Sequence, residues 1–176
     1  MRIPARSLVP ILSLVVAPLV GCQGTGEIRK SQAATVGQTV GHTTIEIDYR
    51  RPVARGRTLF GGIVPFGVPW NPGADQATSI RFSRDVQVEG RAVGAGAYSI
   101  WMIPDTAQWT FILSRASDVF HTPYPEGQDA LRILVTPRRG AHIETLAFYF
   151  PMVDGTRAEL VMHWGEAVIP LRIDAP

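Results

Sequence analysis

The sequence predicts an all-β domain: a single antiparallel β-sandwich or partly closed barrel of eight to nine short strands. Three observations carry this. Apolar and polar residues alternate with a period of two in run after run. Turn residues (Gly, Pro, Asp, Asn) interrupt those runs every 8 to 12 residues. No run shows the 3.6-residue period of a helix.

The strands can be read in chain order. Residues 34–40 form a weak first strand. Residues 42–51 form a stronger one, with Thr43, Ile45, Ile47 and Tyr49 on one face and Thr44, Glu46, Asp48 and Arg50 on the other. Pro52 ends it. Residues 78–82 set Thr78, Ile80 and Phe82 against Ser79 and Arg81. Val86 and Val88 mark a short piece, and residues 90–96 read as a turn-rich approach to the next strand. That strand, residues 97–103, carries large apolar groups on both faces, so both faces are at least half buried and the strand is central. Residues 109–113 return antiparallel to it. Residues 114–129 are irregular and hold His121, Pro123, Tyr124 and Pro125. Strands follow at 130–135, 143–150, 157–164 and 168–173, with turns expected at Arg138-Arg139-Gly140, Asp154-Gly155 and Gly165-Glu166.

One stretch breaks the rhythm. Residues 57–78 hold four glycines, three prolines, two phenylalanines and a tryptophan, with no period of 2 or 3.6. So much apolar surface in a breaker-rich segment predicts a folded-down connection whose aromatics cover one end of the sheets. Arg57, Phe66, Trp70, Asn71, Asp75 and Gln76 combine flat aromatic area with guanidinium, amide and carboxylate groups. Such a mixture recognises sugars, peptides or polar small molecules, so these six are the candidate ligand-binding residues. The competing role is mechanical: Phe66 and Trp70 plug the sandwich while Arg57 pairs with a carboxylate.

The N-terminus reads as an export signal. Arg2 and Arg6 precede residues 8–20, which are apolar apart from Ser13 and too short to span a bilayer comfortably. The run ends in Leu19-Val20-Gly21-Cys22, and Cys22 is the only cysteine. This pattern resembles the bacterial lipobox, in which the cysteine is lipidated and becomes the first mature residue. Three parts follow: a lipoprotein signal at 1–21, a polar tether at 22–31, and one β-sandwich domain at 32–176. More than one acyl chain on Cys22 gives stable anchoring, so the membrane is the first expected partner. Gln23 after the cysteine, where an aspartate would be the retention signal, favours an outer membrane over an inner one.

Charge and composition exclude several functions. Two of the 17 basic residues lie in the signal, leaving 15 against 15 acidic residues, so the mature chain is formally neutral. Its basic residues never exceed short pairs, and no nucleic-acid partner is expected. A lipidated Cys22 leaves no thiol for disulfides, metal ligation or nucleophilic attack. His42, His121, His142 and His163 form no metal-ligand spacing, and no metal or cofactor is expected. His142 and Glu144 alternate near a strand start and read as solvated, and His163 reads as an outward-facing sheet residue. Glu46 and Asp48 share a strand face, as a wet sheet surface does. No Ser motif carries an activator, and no residue is assigned a catalytic role.

Longer motifs carry a family resemblance. Tyr49-Arg50-Arg51-Pro52, the run from Gly56 to Gly67, Trp70, and Gly73-Ala74-Asp75-Gln76-Ala77-Thr78 resemble the DUF2911 family. So do Gly96-Ala97-Tyr98-Ser99-Ile100 with Pro104, and Trp109-Thr110-Phe111-Ile112. The resemblance runs from about Ser31 to Ile173. The family pattern has Asn-Glu where this chain has Asp75-Gln76, and often a basic residue and Thr where it has Asn71-Pro72. The resemblance implies a secreted or lipid-anchored bacterial protein, supplies no reaction, and supports treating residues 57–78 as one unit.

The reading that follows is a lipid-anchored extracytoplasmic module that binds a polar small molecule, a glycan or an envelope protein. A structural lipoprotein without a ligand site and an envelope hydrolase acting on glycan or peptide are the alternatives.

Overall fold

In the computed structural model, residues 28–175 are described. The signal segment, Cys22 and most of the tether lie outside them. Ten strands form two antiparallel sheets: β1 (Gln32–Val40), β2 (Thr43–Arg51), β3 (Ser79–Phe82), β4 (Val86–Val88), β5 (Arg91–Val93), β6 (Gly96–Ile103), β7 (Trp109–Ser114), β8 (Asp129–Val135), β9 (Arg138–Asp154) and β10 (Arg157–Asp174). The first sheet has six strands in the order β1-β2-β3-β6-β7-β8, and the second has four in the order β5-β4-β10-β9. The molecule is a sandwich. The two sheets do not close into a barrel, although an isolated bridge from Val53 to Thr145 ties them at one corner.

The alternation read from sequence places the core. Thr43, Ile45, Ile47 and Tyr49 point inward from β2, and their neighbours on β3, Ile80 and Phe82, do the same. Phe111, Leu113 and Trp109 from β7 face Leu146, Phe148, Leu160, Met162, Ile169 and Leu171 from β9 and β10. Tyr49 and Phe148 meet edge to face across the two sheets, ring centroids 5.0 Å apart, and the Phe148 amide donates to the Tyr49 hydroxyl.

Three sequence expectations are corrected. Residues 91–93, read as part of a turn, pair with β4 as strand β5. Arg138-Arg139-Gly140 is not a turn but the start of β9, paired with Ala167 and Val168. Gly165-Glu166 is likewise inside β10, which runs on through three register shifts. Gly165 has φ +59, and a Cβ there would lie 2.8 Å from Leu59 Cδ1, so glycine bends the strand and lets the loop pack close. β9 and β10 are therefore 17 and 18 residues long, not short.

His163 faces outward as expected. It lies on the outer face of β10, yet is only 8% exposed. Nε2 is 3.0 Å from the Ala141 carbonyl and Nδ1 is 3.3 Å from the Tyr149 hydroxyl. One assignment satisfies both contacts: Nε2–H donates to Ala141, and Tyr149 donates to Nδ1.

Strand register fixes two ends of the six-stranded sheet. Gln32 pairs with Arg51 and Trp109 with Val135, while Ile103 leads into Pro104. These mark the loop end, where residues 57–78 lie. At the far end, Phe82 pairs with Ile45 and with Gly96.

Candidate functional site

Residues 57–78 form two devices. Residues 58–69 fold on themselves: Val64 N–H donates to Leu59 and Gly61 N–H to Val64, both at 2.9 Å, and Ile63 N–H donates to Thr58 at 3.1 Å. Gly67 N–H donates to Pro104, fixing the loop to the β6–β7 turn. A Cβ at Gly62 would sit 2.2 Å from the Thr58 carbonyl oxygen, so this tight turn requires glycine. Phe60 packs edge-on against Trp70, Trp109 and Trp164, and Trp70 stacks on Trp164 with centroids 5.9 Å apart and planes at 16°. The aromatics do cover the end of the sandwich, but Phe60, not Phe66, is the plug. Phe66 remains 42% exposed.

The second device is an excursion of residues 71–77 from a strand edge. Trp70 exchanges both backbone hydrogen bonds with Met102, and Ile100 N–H donates to Thr78. Between these points the chain loops out, and Asn71 bridges the gap. Its Nδ2 donates to the Ile100 carbonyl at 2.7 Å, and its Oδ1 accepts from Thr78 N–H at 3.0 Å. Asn71 is 1% exposed, so its amide holds the fold and faces no solvent. Arg57 is committed as well, donating to the Ala54 and Val53 carbonyls at 2.8 and 2.7 Å. It pairs with no carboxylate among the described residues.

Asp75 and Gln76 sit at the tip of the excursion. Asp75 has φ +60, and its carboxylate pairs with Arg29 at 3.1 Å. Its carbonyl accepts from His121 N–H and lies 2.6 Å from His121 Nδ1. Ala77 N–H donates to Val119, and Gln76 Nε2 donates to Asp118 at 3.2 Å. The excursion is thus laced to residues 115–128, the second irregular segment.

That segment is a wall. It folds over the outer face of the six-stranded sheet and covers Trp101 and Ile112, which are 1% and 0% exposed. Tyr124 meets Trp101 edge-on at 5.2 Å. Trp101 Nε1 donates to Ser99 Oγ, which in turn donates to the Ala116 carbonyl. The wall stops short of β1 and β2. What remains is a groove of about 560 Å³.

Its floor is made of short side chains, Ala33, Ser79 and Ala97. Thr35, Asp48 and Arg50 line one side, Gln76, Ser117 and Asp118 the other, and Arg81 stands at the edge. Asp48 accepts a 2.6 Å hydrogen bond from Thr35. The Arg50 and Arg81 guanidiniums make no ion pair and no hydrogen bond among the described residues. A polar groove with two uncommitted guanidiniums can grip a carboxylate, phosphate or polyhydroxyl ligand.

Of the six residues singled out from sequence, only Gln76 lines this groove, with Asp75 beside it. Arg57 lines a smaller hollow of about 290 Å³ with Phe60, His142, Trp164 and Glu166. His142 and Glu144 are both about half exposed, 4.0 Å apart, and loosely share a face. Among the described residues no three His, Cys, Asp or Glu side chains are grouped to hold a metal ion. Arg50, Arg81 and Asp118 were not singled out. A sequence signal did exist: the outer-face positions Trp101 and Ile112 demanded a cover, and a cover on half a sheet makes a groove beside it.

A protein-family model matches residues 31–173, the sandwich almost end to end. The chain belongs to the DUF2911 family. The family is described as a protein of unknown function, so membership fixes a kind of domain and no chemistry. Comparisons with curated proteins and with solved structures gave no match. The matched span of this DUF2911 domain includes the groove, both walls and the aromatic end.

Proposed function

We propose that this DUF2911 domain is a lipid-anchored binding module of the bacterial envelope that holds a polar, anionic ligand in the outer-face groove. The carrying observation is the groove itself: a floor of Ala33, Ser79 and Ala97 beside Arg50 and Arg81, whose guanidiniums have no partner among the described residues. Two free guanidiniums over short side chains suit an acidic sugar or a short glycan bearing carboxylates or phosphates. The Asp48 and Asp118 carboxylates would accept from its hydroxyls, and the Gln76 amide would donate to or accept from them. A purely structural lipoprotein fits less well, since Phe66 stays exposed and the groove is open.

Export and anchoring rest on the sequence: the apolar run at 8–20, Gly21-Cys22 at its end, and no second cysteine. An acylated Cys22 would hold the domain at a membrane surface, facing the periplasm or the cell exterior. Changing Cys22 to Ser should move the protein from the membrane fraction to the soluble one. Unchanged retention contradicts the anchor.

Ligand binding is tested by a thermal-shift panel of acidic glycans, peptidoglycan fragments and neutral sugars. A ligand that prefers the native state raises the melting temperature. The expected hit is an acidic glycan whose shift disappears in Arg50→Ala and Arg81→Ala. A hit that survives both substitutions places binding elsewhere.

A further inference from the structure

The loop of residues 58–69 exposes apolar surface that its own fold keeps outside. Ile63, Phe66 and Val68 are 45%, 42% and 48% exposed. They are not held out by slack chain, because hydrogen bonds inside the loop and to Pro104 frame them. No charged residue occurs between Arg57 and Asp75, in a chain that is 18% charged. A compact, charge-free loop tip carrying three large apolar groups is costly to leave in water.

Register shows what else lies at that end. β1 begins with Gln32 opposite Arg51, so the chain enters the fold at the loop end of the sandwich. Arg29 pairs with Asp75, at the tip of the 71–77 excursion beside the groove. Cys22 precedes Ile28 by six residues, which reach at most about 20 Å whatever their conformation. The opposite end of the sheet lies roughly 30 Å further off, the length of a nine-residue strand. A lipid on Cys22 therefore leaves the loop end as the end nearest the membrane. Lys30 and Arg55, both exposed at that end, lie where lipid phosphates would be.

We infer that the 58–69 loop inserts Ile63, Phe66 and Val68 into the membrane interface, so that the domain is held in one orientation and not merely tethered. The occupant of this apolar tip is bilayer lipid. The inference rests on the anchoring reading above but adds a second, independent contact. Single amphipathic contacts of this size bind membranes weakly; here the short tether keeps the loop at high local concentration beside the surface. The groove, on a sheet face running away from the loop end, then stays open to solvent.

The test uses the full, processed chain. Acylation of Cys22 leaves no other thiol, so a cysteine introduced by Val68→Cys can carry an environment-sensitive fluorophore while Ile63 and Phe66 remain. Arg84→Cys, exposed just beyond β3 at the far end, is the control. Each protein is reconstituted into phosphatidylethanolamine–phosphatidylglycerol vesicles with and without spin-labelled lipid, and flotation is measured in parallel. The expected result is flotation of both proteins, a blue-shifted label at 68 quenched at least twofold by spin-labelled lipid, and an unquenched label at 84. Adding Phe66→Asp should abolish quenching at 68 and leave flotation intact. Flotation with a label at 68 that stays in water overturns the inference and spares the anchor. A blue shift without lipid quenching assigns the tip to a second copy of the chain, and also overturns it. Failure of both proteins to float overturns the anchor and the inference together.

Discussion

Asn71 and Thr78 are joined across a gap in the sheet: the Asn71 Oδ1 accepts the Thr78 amide at 3.0 Å, with the Asn71 Nδ2 on the Ile100 carbonyl. A side-chain amide stands in for a missing peptide. It closes the neck of the 71–77 excursion and thereby fixes Gln76 against Asp118 in the groove wall. Replacing Asn71 by Ala leaves a buried N–H and a buried carbonyl unpaired. The expected cost is about 2–4 kcal/mol, read from chemical denaturation. Asn71→Asp should fail to rescue, since it offers no donor to Ile100. A loss near zero would contradict the relay.

Trp109 ties the β6–β7 hairpin to the aromatic end. It is 3% exposed, packs against Phe60 at 4.5 Å, and donates from Nε1 to the Asp105 carbonyl at 2.9 Å. Trp109→Ala should cost about 3–5 kcal/mol as a large-to-small core change. Denaturation with an unchanged midpoint would remove Trp109 from the core.

Thr43 offers a change of opposite sign. It is fully buried on the inner face of β2, and its hydroxyl has no hydrogen-bond partner among the described residues. Valine has nearly the same shape without the buried hydroxyl. Thr43→Val should therefore stabilise the protein by about 1 kcal/mol, seen as a higher melting temperature. Destabilisation would mean that the hydroxyl is satisfied in solution.

Tyr124 makes the covering wall sensitive to alkali. Its hydroxyl donates to Asp129, and Arg132 bonds both partners, at 2.9 Å to Asp129 and 3.1 Å to Tyr124. Burial, then the hydrogen bond to Asp129, raises the phenol above its ordinary value of 10.0. The folded state thus holds this proton more tightly than the unfolded chain does. The resulting stability is complete below pH about 10 and is lost as pH rises through the raised folded value. As pH rises above about 10 the wild type should lose more stability than Tyr124→Phe. Equal losses, measured by denaturation at each pH, would contradict the raised phenol.

Much of the sandwich was legible because a strand with one dry face writes its orientation into alternate residues. Thr43, Ile45, Ile47 and Tyr49 are the clearest case. The long strands were not legible, because Gly165 carries the same signal in a bulge as in a turn, and only the resumed ladder tells them apart. The candidate site was legible in part. Breaker-rich aromatic sequence located the loop, and Trp70 does join the aromatic end. Asn71 could not be distinguished from a ligand-facing amide, since its role depends on Ile100, 29 residues away. Arg50 and Arg81 read as ordinary wet-face residues. They become a pair of interest only when residues 115–128 raise a wall beside them.

Filling the groove with a bulky side chain should block the ligand. Ala97 lies on its floor, half buried on the outer face of β6 and away from the core. Ala97→Phe should fold with a melting temperature within about 3 °C of wild type. Calorimetric titration with the acidic glycan selected by the thermal-shift panel should then show affinity reduced about tenfold or more, equivalent to about 1.4 kcal/mol. Binding by folded Ala97→Phe at wild-type affinity would contradict the groove as the ligand site.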